Sequence, residues 1–191
     1  MTHNDFITLL ENTPVVAAIK DDEGLHRCIE SDIDIIFILY GDIITLPSII
    51  RTLKDAGKVA IVHIDLINGL SAKEITLDYL HKNTDLDGII TTKVHLISHA
   101  KQIGMITILR YFLLDSIAME NIKLQGKKSV QLDIVEILPG VVVPKVITKV
   151  KMISKVPIMA SGLITEKEDI IHALNSGAIA ISTTNQKMWF S

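Results

Sequence analysis

The chain has 191 residues, 48% of them hydrophobic and only 4% aromatic, with a net charge of -3. That is one domain's worth of core built on Ile, Val and Leu; no apolar run reaches the ~18–20 residues of a membrane span, and the first residues lack the basic and apolar regions of a signal peptide. The single Cys28 excludes an internal disulfide and suits a reducing cytoplasm.

Short β-branched runs predict strands at Val15–Lys20, Ile35–Tyr40, Val59–Leu66, Gly88–Thr92, Met105–Phe112, Asp133–Leu138, Pro157–Ala160 and Ala178–Ser182. The stretches between them read as helices. Ser71 to Glu74 and Thr165 to Glu168 have the spacing of capping boxes. Pro47 and Pro144 suit first turns, and Gly57, Gly104, Gly126 and Gly177 suit helix stops. Eight strands alternating with helices predict a parallel sheet with right-handed crossovers. Eight is also the number that closes a (β/α)8 barrel. Eight units in 191 residues leave about 24 residues each, against roughly 31 in a typical barrel of this kind. The expected fold is therefore a single-domain α/β protein over residues 1–191, a small TIM-type (β/α)8 barrel with shortened helices. No strand–G-x-G-x-x-G–helix fingerprint follows the first strand, which weighs against an open doubly wound sheet.

Three of these strands carry charge inside apolar runs: His63 and Asp65 in the third, Arg110 in the fifth and Glu136 in the sixth, just before the Pro139-Gly140 corner. Lys20 ends the first strand, and Thr92 and Lys93 end the fourth. All fall at C-terminal strand ends, where barrels bind ligands. Two readings stand. Asp65 and Glu136 neutralise Lys20 and Arg110 in a structural ion network, or the group forms a polar pocket for a small anion.

Ser161-Gly162 leaves the seventh strand and Ser182-Thr183-Thr184-Asn185 the eighth. Loops after these strands commonly seat phosphate, with Gly admitting close backbone approach and hydroxyls donating to oxygen. This seat is expected across the mouth from the charged strands. His95 and His99, four apart on one helix, have no carboxylate nearby in sequence to complete a metal site and read as surface residues. Trp189 and Phe190 read as anchors for the tail.

Charge is uneven along the chain. Residues 1–50 balance at -7, whereas residues 123–155 balance at +5 and hold Lys123, Lys127, Lys128, Lys145, Lys149, Lys151 and Lys155. On adjacent helices these lysines make one basic face, either merely solvated or able to meet a phosphate backbone.

The segments His63-Ile64-Asp65-Leu66-Ile67-Asn68-Gly69, Phe112-Leu113-Leu114-Asp115-Ser116, Val135-Glu136-Ile137-Leu138-Pro139-Gly140 and Thr183-Thr184-Asn185 with Trp189 close behind resemble the glycerol-3-phosphate-responsive antiterminator family. The resemblance runs from about Pro14 to Trp189. It implies a reduced barrel in the cytoplasm that binds glycerol 3-phosphate as effector, needs no cofactor or metal, and acts on leader mRNA of glycerol-utilisation operons to prevent premature termination. It implies phosphate at Gly162, Thr183, Thr184 and Asn185, hydroxyls at Asp65 and Glu136, and charge neutralisation by Arg110, Lys93 or Lys20. It leaves a homo-oligomer open. Two positions depart from the family pattern: Ser161 stands where a second Gly is usual, and Lys20 where Arg is usual, keeping the charge without the bidentate fork. The rival is a barrel enzyme acting on a small phosphate ester, a lyase, isomerase or metal-assisted phosphodiesterase. Glu136 or Asp65 would be its base and Lys93 or Lys20 its electrostatic stabiliser. A barrel with only an internal ion network is the third alternative.

Overall fold

The computed structural model describes residues 1–125, 132–142 and 144–190. Eight parallel strands close into a barrel in sequence order: β1 Val15–Ile19, β2 Ile35–Ile38, β3 Val59–His63, β4 Gly88–Thr91, β5 Ile106–Phe112, β6 Ile134–Leu138, β7 Ile158–Ser161 and β8 Ala180–Thr183. The helices are α1 His3–Asn12, α2 Asp22–Glu30, α3 Leu46–Asp55, α4 Glu74–Asn83, α5 Val94–Gln102, α6 Ser116–Gln125, α7 Pro144–Ile153 and α8 Lys167–Asn175. Each has nine or ten residues. All eight expected strands and the shortened helices are therefore present.

Alternation along each strand sorts side chains between two environments. Inward positions such as Val16, Phe37, Ile61, Ile90, Ile108, Ile134, Met159 and Ala180 form the barrel's own core. Outward positions pack against the helices in two further clusters. Helix α1, which the strand–helix beat did not reveal, closes the N-terminal end by placing Phe6 and Leu10 into the inner core. Thr2 and Asp5 form its capping box.

Several boundaries differ from the sequence reading, each for a local reason. β3 stops at His63, and Ile64–Leu66 is a 3-10 turn, so Asp65 is not on the strand face beside His63. α4 starts at Glu74 with Lys73 at its cap and no capping hydrogen bond; the Ser71 hydroxyl instead meets Thr76 Oγ1 at 3.2 Å. In α8 the capping box is Glu166 with Asp169, one residue past the expected Thr165 pair. β7 and β8 extend through Ser161 and Thr183, which puts both residues in the sheet rather than in loops. Gly57, Gly104 and Gly177 have the left-handed φ expected at helix ends; Gly126 lies outside the described residues.

The N-terminal end is a stability face. Asp133 accepts from Lys101 Nζ at 2.7 Å and from the Thr107 N–H and hydroxyl, both at 2.8 Å; His3 Nδ1 also lies against it, at 2.5 Å. Asp87 takes Lys54 Nζ at 2.6 Å.

Candidate ligand-binding site

The inner core turns polar within one strand step of the C-terminal mouth. Val59 and Ile61 lead to His63, Ile106 and Ile108 to Arg110, Ile134 to Glu136, Met159 to Ser161, and Ala180 to Ser182. Strand alternation makes this tier, since each polar residue stands two positions beyond an inward apolar one.

Arg110 and Glu136 are register partners on β5 and β6. Arg110 donates through Nε to Oε2 at 2.6 Å and through Nη2 to Oε1 at 3.1 Å. Their side chains are 9% and 0% exposed. A buried carboxylate with no partner costs several kcal/mol; a bidentate fork offsets much of that. The same Oε1 accepts the Ser161 hydroxyl at 2.6 Å, with Ser182 Oγ at 3.4 Å, and the two hydroxyls stand 2.7 Å apart. The loops after β7 and β8 are thus contiguous with Glu136, because β6, β7 and β8 are successive neighbours. They do not stand across the mouth from it, as the sequence suggested.

Asp65 has a different neighbourhood. Its turn carries it to the end of β4, where Thr91 Oγ1 donates at 2.8 Å, the Thr92 N–H at 2.7 Å and the Thr92 hydroxyl at 2.8 Å. Partial burial pushes the Asp65 carboxyl up, but these donors outweigh it and hold it below the usual carboxylate range. Of the expected ion network only the Arg110–Glu136 half forms. Lys20 lies exposed just past β1, Lys93 is exposed at the start of α5, and neither is in an ion pair among the described residues.

His63 is buried and faces this tier. Burial pushes its imidazole down to about 4; the Arg110 charge acts in the same direction, and Asp65 and Glu136 only partly oppose it. It is neutral at pH 7, and its buried Nδ1 has no hydrogen-bond partner among the described residues. An orphan buried polar atom is a place for an ordered water or a ligand group.

The cavity is about 350 Å³, walled by Arg110, Ser161, Gly162, Leu163, Ser182 and Thr184 among others. Gly162 has φ +80° and Leu163 φ +59°, a left-handed pair that only the first residue type adopts freely. Thr183 Oγ1 donates to the Ile164 carbonyl at 2.8 Å and Asn185 Nδ2 to the Thr165 carbonyl at 2.8 Å, which joins the two loops into one rim. The Gly140 N–H donates to the Gly162 carbonyl at 2.9 Å. A Cβ on Gly140 would stand 2.9 Å from Ser161 N, so the corner after β6 needs glycine to reach the rim. Trp189 Nε1 donates to the Thr183 carbonyl at 3.0 Å, anchoring the final 3-10 helix Gln186–Phe190 beneath it.

The fold thus gathers Arg110, Ser161, Gly162, Thr183, Thr184 and Asn185 around one cavity, with Glu136 buried behind Arg110 and Ser161 and His63 in the same polar tier but not in the cavity wall. Lys20, Asp65 and Lys93 do not line it. The side chains of Thr183 and Asn185 are engaged in joining the loops. Ser182, the first of the hydroxyl run at the end of the eighth strand, lines the cavity, since Ala180, Ser182 and Thr184 continue one alternation; Leu163 in its wall and Gly140 behind it were not assigned ligand roles from the sequence.

Elsewhere, Lys123 on α6, Lys145, Lys149 and Lys151 on α7, and Lys155 beyond it are exposed and in no ion pair among the described residues. Helix α6 packs beside α7. Lys127 and Lys128 lie outside the described residues. His99 Nε2 stands 2.7 Å from Asp78 and His95 Nε2 3.2 Å from the Ala72 carbonyl. No group of three ligating side chains close enough to hold a metal occurs among the described residues.

Known proteins resemble this chain along nearly its whole length. Residues 15–189 match the family described as glycerol-3-phosphate responsive antiterminator. Protein YgcP of Escherichia coli (strain K12) is 41% identical over 181 residues, covering 95% of this chain and 94% of that one. The crystal structure of the glycerol uptake operon antiterminator regulatory protein of Listeria monocytogenes is similar, with TM-score 0.87, 32% identity and coverage of 93% and 95%. A glycerol uptake operon antiterminator-related protein of Thermotoga maritima gives TM-score 0.79, 34% identity and coverage of 92% and 96%. With a closed barrel, a polar mouth and a family match spanning nearly its whole length, the chain belongs to the glycerol-3-phosphate responsive antiterminator family.

Proposed function

We propose that this protein is a cytoplasmic regulator that binds glycerol 3-phosphate in the mouth of its barrel and, when loaded, binds leader mRNA of glycerol-utilisation operons to prevent early termination. The observation that carries the reading is the cavity of about 350 Å³ between the β7 and β8 loops and Arg110. It joins a left-handed glycine loop of the type that admits an oxyanion to a guanidinium and the hydroxyls of Ser161, Ser182 and Thr184. The phosphate would sit at Gly162 and Thr184, with Arg110 supplying charge from below. Lys20 and Lys93 at the rim would add longer-range attraction.

Proton-transfer chemistry has less support. Both oxygens of Glu136 and both of Asp65 are engaged by protein donors, so neither is poised as a general base. The reading requires neither metal nor cofactor.

RNA would meet the face of α6 and α7, where the exposed lysines are in no ion pair among the described residues. Two measurements test the proposal together. Thermal unfolding with glycerol 3-phosphate should show stabilisation of about 2.7 kcal/mol at 100 times its Kd, with the ligand recovered unchanged. A gel shift with leader RNA from the cell's glycerol operons should tighten in its presence. Consumption of the phosphate ester, or RNA binding indifferent to it, would overturn the reading.

A further inference from the structure

Arg110 lines two cavities. Besides the site above, it borders a groove of about 580 Å³ on the outer rim, between the end of β5, the start of α5 and α6. Tyr111 and Phe112 form part of its wall, and Phe112 is 51% exposed. Asn121 and Gln125 on α6 add side-chain amides that can both donate and accept. Lys93, next to the groove residues Thr92 and Val94, is an exposed cation without an ion pair among the described residues. The groove's carboxylate, Asp115, already accepts the Ile117 and Ala118 N–H groups at 2.9 and 3.1 Å.

We propose that this groove receives an unpaired base of single-stranded RNA, stacked on Phe112 with its edge read by Asn121, while Lys93 holds a flanking phosphate. The chemistry favours a nucleic acid over an apolar protein segment. An apolar occupant would leave the amides facing it unpaired, and a cation beside an exposed aromatic is what a base and its phosphate require. The basic face of α6 and α7 supplies charge but has no aromatic side chain on either helix among the described residues; the groove beside α6 supplies one. Because Arg110 borders both cavities, a base here and an anion in the barrel mouth share one side chain, which gives the effector a direct physical route to the RNA. The inference rests on the RNA-binding reading.

The test uses the whole protein, glycerol 3-phosphate and a pool of short single-stranded RNAs of random sequence carrying 4-thiouridine, at low salt. Irradiation should crosslink the peptide that contains Tyr111 and Phe112. Phe112→Ala should weaken binding about tenfold, Phe112→Trp should restore it, and a fully base-paired pool should not crosslink there. The Phe112→Ala protein should keep its stabilisation by glycerol 3-phosphate, since Phe112 does not line that cavity, and this confirms that it folds. Binding that depends on the α7 lysines but is unchanged in Phe112→Ala, or crosslinks confined to α7, would overturn the groove while leaving the RNA reading intact. No RNA bound by the unaltered protein would overturn both.

Discussion

Ser161 Oγ donates to Glu136 Oε1 at 2.6 Å, on the same carboxylate that Arg110 clamps with two hydrogen bonds. The strand that leads into the glycine loop is therefore wired to the buried ion pair. A ligand drawing on Arg110 alters the balance of charge on Glu136, and Ser161 and Ser182 are the groups that feel it.

Arg110→Met should separate folding from sensing. Alone it leaves Glu136 buried without its cation, at a cost of about 3–5 kcal/mol. The double variant Arg110→Met/Glu136→Leu removes both charges and should regain most of that stability, yet show no rise in melting temperature with glycerol 3-phosphate. A persistent ligand-induced rise in the double variant would remove Arg110 from the site.

His63 sets a pH dependence whose sign follows from its depressed folded value of about 4 against 6.5 for the free group. Between those values the unfolded chain is protonated and the folded one is not. Stability contributed at this site is present above pH 6.5 and falls as pH drops towards 4, by roughly 3 kcal/mol in all. Urea unfolding across that range should show this slope, and His63→Leu should flatten it. Because the neutral imidazole presents an orphan Nδ1, the same variant should weaken glycerol 3-phosphate more than inorganic phosphate.

Leu163 carries backbone strain at φ +59° while its side chain is exposed. A left-handed conformation costs a branched L residue about 1 kcal/mol, so Leu163→Asn should raise the melting temperature slightly. Gly162→Val, at φ +80° and with its Cβ 3.3 Å from Leu138, should lower it and abolish phosphate binding. Equal melting temperatures for all three proteins would show that this loop is unstrained.

Trp189 is the sole tryptophan, and its indole hydrogen-bonds the Thr183 carbonyl. Filling the adjacent seat should change its emission spectrum in proportion to occupancy. A calorimetric binding isotherm with no matching fluorescence change would mean that the β8 loop does not move with the ligand.

Lys145→Glu/Lys149→Glu should lower RNA affinity about equally for all sequences and reduce the slope of log affinity against log salt by about two. Glycerol 3-phosphate binding should be untouched. An unchanged salt slope would exclude α7 from the interface.

The strand count, the barrel and its trimmed helices were legible because they rest on short-range patterns: β-branched runs, helix stops such as Gly57 and Gly104, and alternation. Alternation also identified Arg110, Glu136 and His63, since a charge at an inward position is conspicuous in an apolar run. The partners of those charges were not legible. Whether Glu136 pairs with Arg110 or Lys20 depends on strand register, which neighbouring strands fix together when the barrel closes. Asp65 looked like a companion of His63 until one 3-10 turn carried it to the end of β4. The hydroxyl of Thr183 looked free for an anion until the β7 and β8 loops met and used it.

The amino-acid sequence by itself determined which residues face inward and where the inner core turns polar, because periodicity and hydrophobicity are local properties. Only the tertiary structure decided how those residues share their hydrogen bonds. Buried donors and acceptors must be satisfied by whatever the closed barrel brings within about 3 Å. That pairing left the Nδ1 of His63 as the open position in the polar tier.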